Sequence, residues 1–223
     1  MSLPVLIIGR SGSGKTYSLK SFKPDQVGIL SVEKGRLPFR SDLKVIKVIS
    51  TNSSDQTNAA KNVAKYEWIK RKIATANAKS VVLDDSQYLL AGEFFDRALE
   101  KGYDKYTAIG ANFRDLIHGI NELPQDDKIV YFLHHSEAGE DGREKVKTIG
   151  RMLDEKLCVE GCFDIVIYCQ DQKFYTQANG MSIAKTPEGM LEEEIPNDLA
   201  AVDAAIREYY GMAPNTSNIK EEQ

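Results

Sequence analysis

The sequence predicts an α/β fold: a mainly parallel, twisted sheet with helices on both faces, closed by a C-terminal hairpin and helix. Three observations carry this. Short apolar runs alternate with longer stretches of helical periodicity along most of the 223 residues. The first apolar run leads directly into "GRSGSGKT" at residues 9–16, a glycine-rich turn set between a strand pattern and a helix pattern. After Cys169 the texture changes to "KFYTQANGMSIAKT", followed by one amphipathic stretch.

Taken in order, strands are expected at residues 5–8, 27–31, 45–49, 81–83, 129–133 and 164–169. Each is a short apolar run, as strands buried on both faces require. Helices are expected near 16–21, 58–76, 87–101, 107–122 and 149–157. In the helix from Asn58, the residues Val63, Tyr66, Ile69, Ile73 and Ala76 recur on one stripe. Asn179-Gly180 reads as the turn of a β-hairpin. In "IPNDLAAVDAAIREYYG", Asn197 is the expected N-cap, Leu199, Val202, Ile206 and Tyr209 form the apolar stripe, and Gly211 ends the helix. These elements make one domain, 1–212, with a loose polar tail at 213–223.

Composition narrows the function. With 42% hydrophobic residues, the chain holds enough apolar material for one large core. Mean hydropathy is -0.38, and no apolar run approaches the ~20 residues of a membrane span. The first strand is too short, and too soon followed by the glycine-rich turn, for a signal peptide. Cys158, Cys162 and Cys169 form no even disulfide framework and imply a reducing, cytoplasmic setting, with buried free thiols expected. A net charge of -4 excludes a basic single-module DNA binder, although an oligomer of acidic subunits can still line a channel with local positive charge.

The chemistry begins at residues 9–16, which satisfy G-x-x-x-x-G-K-[ST] through Gly9, Gly14, Lys15 and Thr16. Glycines let the backbone curl so that successive N–H groups face an anion, and the following helix adds its positive end. Gly9, Arg10, Ser11, Gly12, Ser13, Gly14, Lys15, Thr16 and Tyr17 are therefore the expected phosphate-binding residues of a P-loop. Lys15 is expected to reach the outer phosphates, and the Thr16 hydroxyl to complete a Mg²⁺ shell. The cofactors implied are ATP and Mg²⁺.

Asp84 follows the apolar run 81–83, where a carboxylate can hold Mg²⁺ directly or through water. Asp85 is its alternative, and either Asp85 or Ser86 can cap the next helix. Glu33, at the end of the second strand, is a candidate to orient the attacking water. His134 and His135 end the strand at 129–133 and point to opposite faces of the sheet. The run "KYEWIKRK" at 65–72 is basic and carries two aromatics, but at helical spacing it reads as one buried stripe beside a charged face.

Absent motifs narrow the class. There is no N-K-x-D for guanine, no L-S-G-G-Q of transporter ATPases, and no room for the helical lid of AAA+ proteins. From about residue 3 to 211 the chain resembles the RecA-like core, and within it the phage-encoded RecA-core ATPases of recombination and single-strand annealing. "VVLDDSQYLL" resembles the Walker B strand, "GILSVEKG" the strand that delivers a glutamate beside the attacking water, and "IVYFLHH" the strand whose polar tip senses the γ-phosphate. The tail "AKTPEGM…IPNDLAAVDAAIREYYG" is similar to that phage group as well.

The resemblance implies Asp84 for the metal, Glu33 for catalysis and His135 as sensor. It also implies that Lys185 reaches a neighbour's nucleotide, although Pro187 stands where relatives carry an arginine. It further implies a homo-oligomer, ring or filament, acting on single-stranded DNA in the cytoplasm of a phage-infected bacterial host. A small-molecule kinase and a nucleotide-switched loader of a replication protein are the alternatives.

Overall fold

Seven consecutive buried residues, Leu3–Gly9, form the central strand β1. The computed structural model describes residues 2–33, 35–49 and 56–215. Eight further strands follow: β2 (Val27–Ser31), β3 (Val45–Lys47), β4 (Ser80–Asp84), β5 (Ile129–Ala138), β6 (Glu144–Val146), β7 (Ile165–Gln170), β8 (Lys173–Tyr175) and β9 (Glu194–Pro196). The α-helices are α1 (Asn58–Thr75), α2 (Gln87–Asp96), α3 (Asp104–Asn121), α4 (Arg151–Asp154) and α5 (Leu199–Tyr209). The sheet runs β3-β2-β4-β5-β1-β7-β8-β9, with β6 paired to β5. Pairings from β3 through β7 are parallel, and those of β6, β8 and β9 are antiparallel.

Alternation along each strand divides the core in two. Leu6 and Ile8 of β1, with Leu83 and Phe132, face Tyr66, Ile69, Leu90, Phe113 and Leu116 of α1, α2 and α3. Val5 and Ile7, with Val82 and Leu133, face Leu19 and Phe22 from the segment after the P-loop together with Val202 and Ile206 of α5. Helices therefore cover both faces, as expected.

Several expected elements differ in detail. The hairpin about Asn179-Gly180 does not form. The two-residue turn is Asp171-Gln172 between β7 and β8, and β9 takes the outer edge of β8. The segment after Gly180 instead bridges Ser182 to Glu144 and Lys185 to Val166. Asp198, not Asn197, caps α5, its carboxylate accepting from the Ala200 and Ala201 amides. On α5 Tyr209 is exposed, and the stripe is completed instead by the buried ion pair Asp203–Arg207. On α1, Asn62 rather than Val63 turns inward. α2 ends at Asp96, where Arg97 leaves the helical conformation at φ -105° and ψ 20°, and Gly102, at φ 92°, lies in the connection to α3. The helix expected at 149–157 is a single turn, and that at 16–21 is a 3-10 helix followed by Pro24. Cys158 is exposed and Cys162 half-buried; among the cysteines only Cys169 is buried. In the run 65–72, Tyr66 and Ile69 are buried, and Lys72 lies over the Trp68 ring. The tail expected from 213 has its first three residues docked: Ala213, Pro214 and Asn215 all hydrogen-bond to the fold, and 216–223 lie outside the described residues.

Candidate functional site

All the parallel strands end on one edge, and the P-loop emerges there from β1. At two positions its path leaves no room for a side chain. A Cβ on Gly9 would sit 2.4 Å from the Cys169 carbonyl oxygen and 2.6 Å from Ser13 Oγ. Gly14 has φ 110°, and a Cβ there would meet the side chains of Asn197 and Gln172 at 2.6–2.9 Å. Glycine alone fits both positions.

Lys15 is buried, and its Nζ donates to the carbonyls of Gly9 (2.7 Å) and Arg10 (3.0 Å). Its ammonium is thereby held over the loop, where phosphate oxygens can replace carbonyls as acceptors. Thr16 Oγ1 donates to Asp84 Oδ1 at 3.0 Å. Register explains this meeting: β5 lies between β1 and β4, so the P-loop and the end of β4 flank the same strand.

The Asp84 carboxyl is pushed up to about 6, first by burial and then by the charge of Asp85; the Thr16 hydrogen bond, the Asp85 amide and Lys15 oppose this only in part. A buried carboxyl whose charged form is disfavoured, 3.0 Å from a hydroxyl, fits a divalent cation, whose charge would hold it ionised.

The neighbouring histidines separate as alternation demands. His134 pairs in register with Ile8 and is fully buried on the α1–α3 face. Its Nδ1 meets Ser86 Oγ at 2.9 Å, its Nε2 meets the Lys147 carbonyl at 2.8 Å, and burial lowers its pKa to about 4. It is a satisfied, neutral core residue. His135 lies opposite Gly9 and borders the cleft above the P-loop. Its Nε2 is 3.3 Å from Asp85 Oδ1, yet the alignment misses a hydrogen bond and leaves that nitrogen otherwise unsatisfied among the described residues. Both histidines lie inside β5 rather than at its end, because Ser136–Ala138 continues the strand by pairing with β6.

The cleft measures about 330 Å³. Ser11, Gly12, Gly14, Lys15, Thr16 and Tyr17 form its floor, and Asp84, Asp85 and His135 one wall. Arg10 turns away: its guanidinium pairs with Glu144 (Nε–Oε1 2.8 Å), whose other oxygen accepts from Ser136 Oγ. Ser13 Oγ is buried under the loop. Glu33 is exposed, two residues past the Ser31–Asp84 pair of β2 and β4, and is not among the cleft-lining residues. Lys185 is exposed beside β7 and also stands outside the cleft.

The cleft is also lined by residues outside the expected site, among them Arg36 and Gln172, and by Asp85. Asp85, expected as the alternative to Asp84 or as a helix cap, holds a left-handed backbone at φ 59°. That conformation is costly for a residue with a Cβ and is found preferentially at functional sites. Arg36, in the segment after β2, has no hydrogen bond or ion pair among the described residues. Gln172 enters from the β7–β8 turn. The doublet Asp84-Asp85 was the only visible signal for any of them.

A P-loop at the end of a central parallel strand, facing an acidic residue two strands away, defines a P-loop nucleoside triphosphatase fold. The chain belongs to the AAA domain family, whose model matches residues 1–189. Members of that family are in general nucleotide-binding ATPases. The match stops before β9 and α5. Comparison with the curated proteins gives no match. Among the described residues, no helix is long and apolar enough to cross a membrane.

Proposed function

We propose that this protein binds and hydrolyses Mg·ATP as a head-to-tail homo-oligomer, ring or filament, and acts on single-stranded DNA in phage recombination or replication in the host cytoplasm. The observation that carries the nucleotide part is the 3.0 Å contact of Thr16 with Asp84, which joins the P-loop to the acidic strand end. The DNA part is supported by the resemblance to phage RecA-core ATPases.

In this reading the loop amides and Lys15 bind the phosphates, while Thr16 and Asp84 hold Mg²⁺. The ion supplies charge neutralisation at the outer phosphates. His135 senses the terminal phosphate through its unsatisfied Nε2. Glu33 orients the attacking water from the end of β2, and Lys185 brings positive charge to the neighbouring subunit's nucleotide.

A second assignment of the water-orienting group is favoured by one observation. Asp85 lines the cleft 3.3 Å from His135, whereas Glu33 does not line it. The rest of the mechanism is unchanged if Asp85 takes that role.

The test is ATP turnover with and without single-stranded DNA, together with particle mass in a non-hydrolysable analogue. DNA-stimulated turnover by a multimer supports the proposal. ADP release that depends on a small-molecule acceptor points to a kinase. Nucleotide-dependent capture of a replication protein, with neither effect, points to a loader.

A further inference from the structure

β7 and β8 are joined by only Asp171 and Gln172, and both hold positive φ, 49° and 61°. Tight turns of this hand are ordinarily built from Asn and Gly, because a larger side chain strains the left-handed backbone. The strained turn is aimed at the P-loop. The Gln172 amide donates to the Ser13 carbonyl at 3.3 Å, and the Gln172 side chain packs where Gly14 lacks a Cβ.

Asn197, directly after β9, sets the orientation of that side chain. Its Nδ2 donates to the Gly14 carbonyl (3.0 Å) and to Gln172 Oε1 (3.2 Å). A carbonyl accepts only, so Asn197 presents its amino group on this side and Gln172 must accept through Oε1. The Gln172 Nε2 is left as a donor with no partner among the described residues, at the border of the cleft.

Sheet order says which part of a ligand it would meet. The P-loop stands on β1, with Asp84 and His135 on the β4–β5 flank and Gln172 on the β7 flank. If the terminal phosphate and metal occupy the first flank, the α-phosphate and ribose extend toward the second.

We propose that Gln172 is a nucleotide-binding residue, its Nε2 donating to the α-phosphate or ribose of a bound nucleoside triphosphate and its carbonyl held by Asn197. This rests on the reading of the cleft as a nucleotide site, and it adds a contact from beyond the P-loop.

The experiment is calorimetric titration of MgATP and MgADP into the full chain and its variants, with thermal unfolding of each. Gln172→Gly relieves the backbone strain, so it is expected to fold at least as well as wild type and yet bind both nucleotides about tenfold more weakly, as loss of one hydrogen bond to a charged or sugar oxygen requires. Gln172→Ala is expected to lose the same affinity. Gln172→Glu, which sets a carboxylate beside phosphate, is expected to bind more weakly still, with part of the loss recovered in high salt. A turn residue with no ligand contact predicts wild-type affinity for Gln172→Gly. Affinities within about twofold of wild type for the Gly and Ala variants, well below one hydrogen bond, overturn the proposal if Lys15→Ala has lost binding. If Lys15→Ala also binds as wild type, the nucleotide reading itself fails and this inference falls with it.

Discussion

The two ends of the parallel sheet differ in how their central buried polar groups are met. At the end where the strands begin, the buried Arg207 guanidinium makes four hydrogen bonds. It donates to Asp203 (2.7 Å), Ser80 Oγ (2.9 Å) and the carbonyls of Asp127 (2.8 Å) and Ala213 (3.3 Å). Asp203 in turn accepts from Tyr131 (2.9 Å), Asn215 (3.2 Å) and Ser80. At the end where the strands finish, Asp84 is held near a pKa of 6, the His135 Nε2 is unsatisfied, and Asp85 and Gln172 hold left-handed backbones. A closed network specifies and rigidifies a fold; open donors, acceptors and strain are what a ligand relieves. The first end anchors α5 and the chain to Asn215, and the second is left free for chemistry.

The sharpest way to break this contrast is Lys15→Ala. Binding of MgATP should fall below calorimetric detection, while the melting temperature of the unliganded protein changes little, because Lys15 borders a cleft where water can replace it at the Gly9 and Arg10 carbonyls. Glu33→Gln and Asp85→Asn separate binding from hydrolysis. Whichever residue orients water should lose roughly 10²–10⁴ in turnover with nucleotide affinity retained, and the other should stay within a few-fold. If neither variant slows turnover, another group positions the water.

Asp203→Ala tests the opposite end. An uncompensated buried guanidinium should cost about 3–5 kcal/mol in urea unfolding, with MgATP affinity unchanged. A matching loss of affinity would show that the two ends are not independent. Lys185→Ala should impair turnover only across subunits. Mixing it with the Glu33→Gln protein should restore part of the activity, provided that Glu33 is the group lost in the partner; mixed oligomers that stay inactive would remove the trans role.

The smallest effect concerns Asp84. In the metal-free protein its raised pKa means that the folded state binds more protons than the unfolded state between about 4 and 6. That contribution to stability is present below the unfolded pKa and is lost as pH rises through 6. Asp84→Asn should therefore melt above wild type at pH 7 without nucleotide, and the gap should close as pH falls through 6. A pH-independent gap would mean that Asp84 is not the titrating group.

Much of the site was legible in the sequence because its signals are local. The glycine spacing of residues 9–16 dictates the loop, and an apolar run ending in Asp84 dictates a carboxylate at a strand end. The hairpin was misplaced for the opposite reason. Asn179-Gly180 has the stronger turn chemistry, but pairing partners are chosen by the whole sheet, and β9 outcompeted the nearer segment for the edge of β8. Asn197 likewise has the chemistry of a helix cap, yet Asp198 fills that role and Asn197 serves Gly14 across a separation of 183 residues.

By itself the sequence determined the order of the parallel strands and of the helices between them, the P-loop and the acidic residue at Asp84. Periodicity and steric rules for glycine act over a few residues and do not depend on the rest of the fold. Only the tertiary structure decided which histidine is core and which borders the cleft, that Asp85 and Arg36 line the cleft while Glu33 stands outside its lining, and that the β7–β8 turn reaches the P-loop. Those outcomes depend on strand order and register, which arise from long-range pairing and leave no mark in any short stretch of residues.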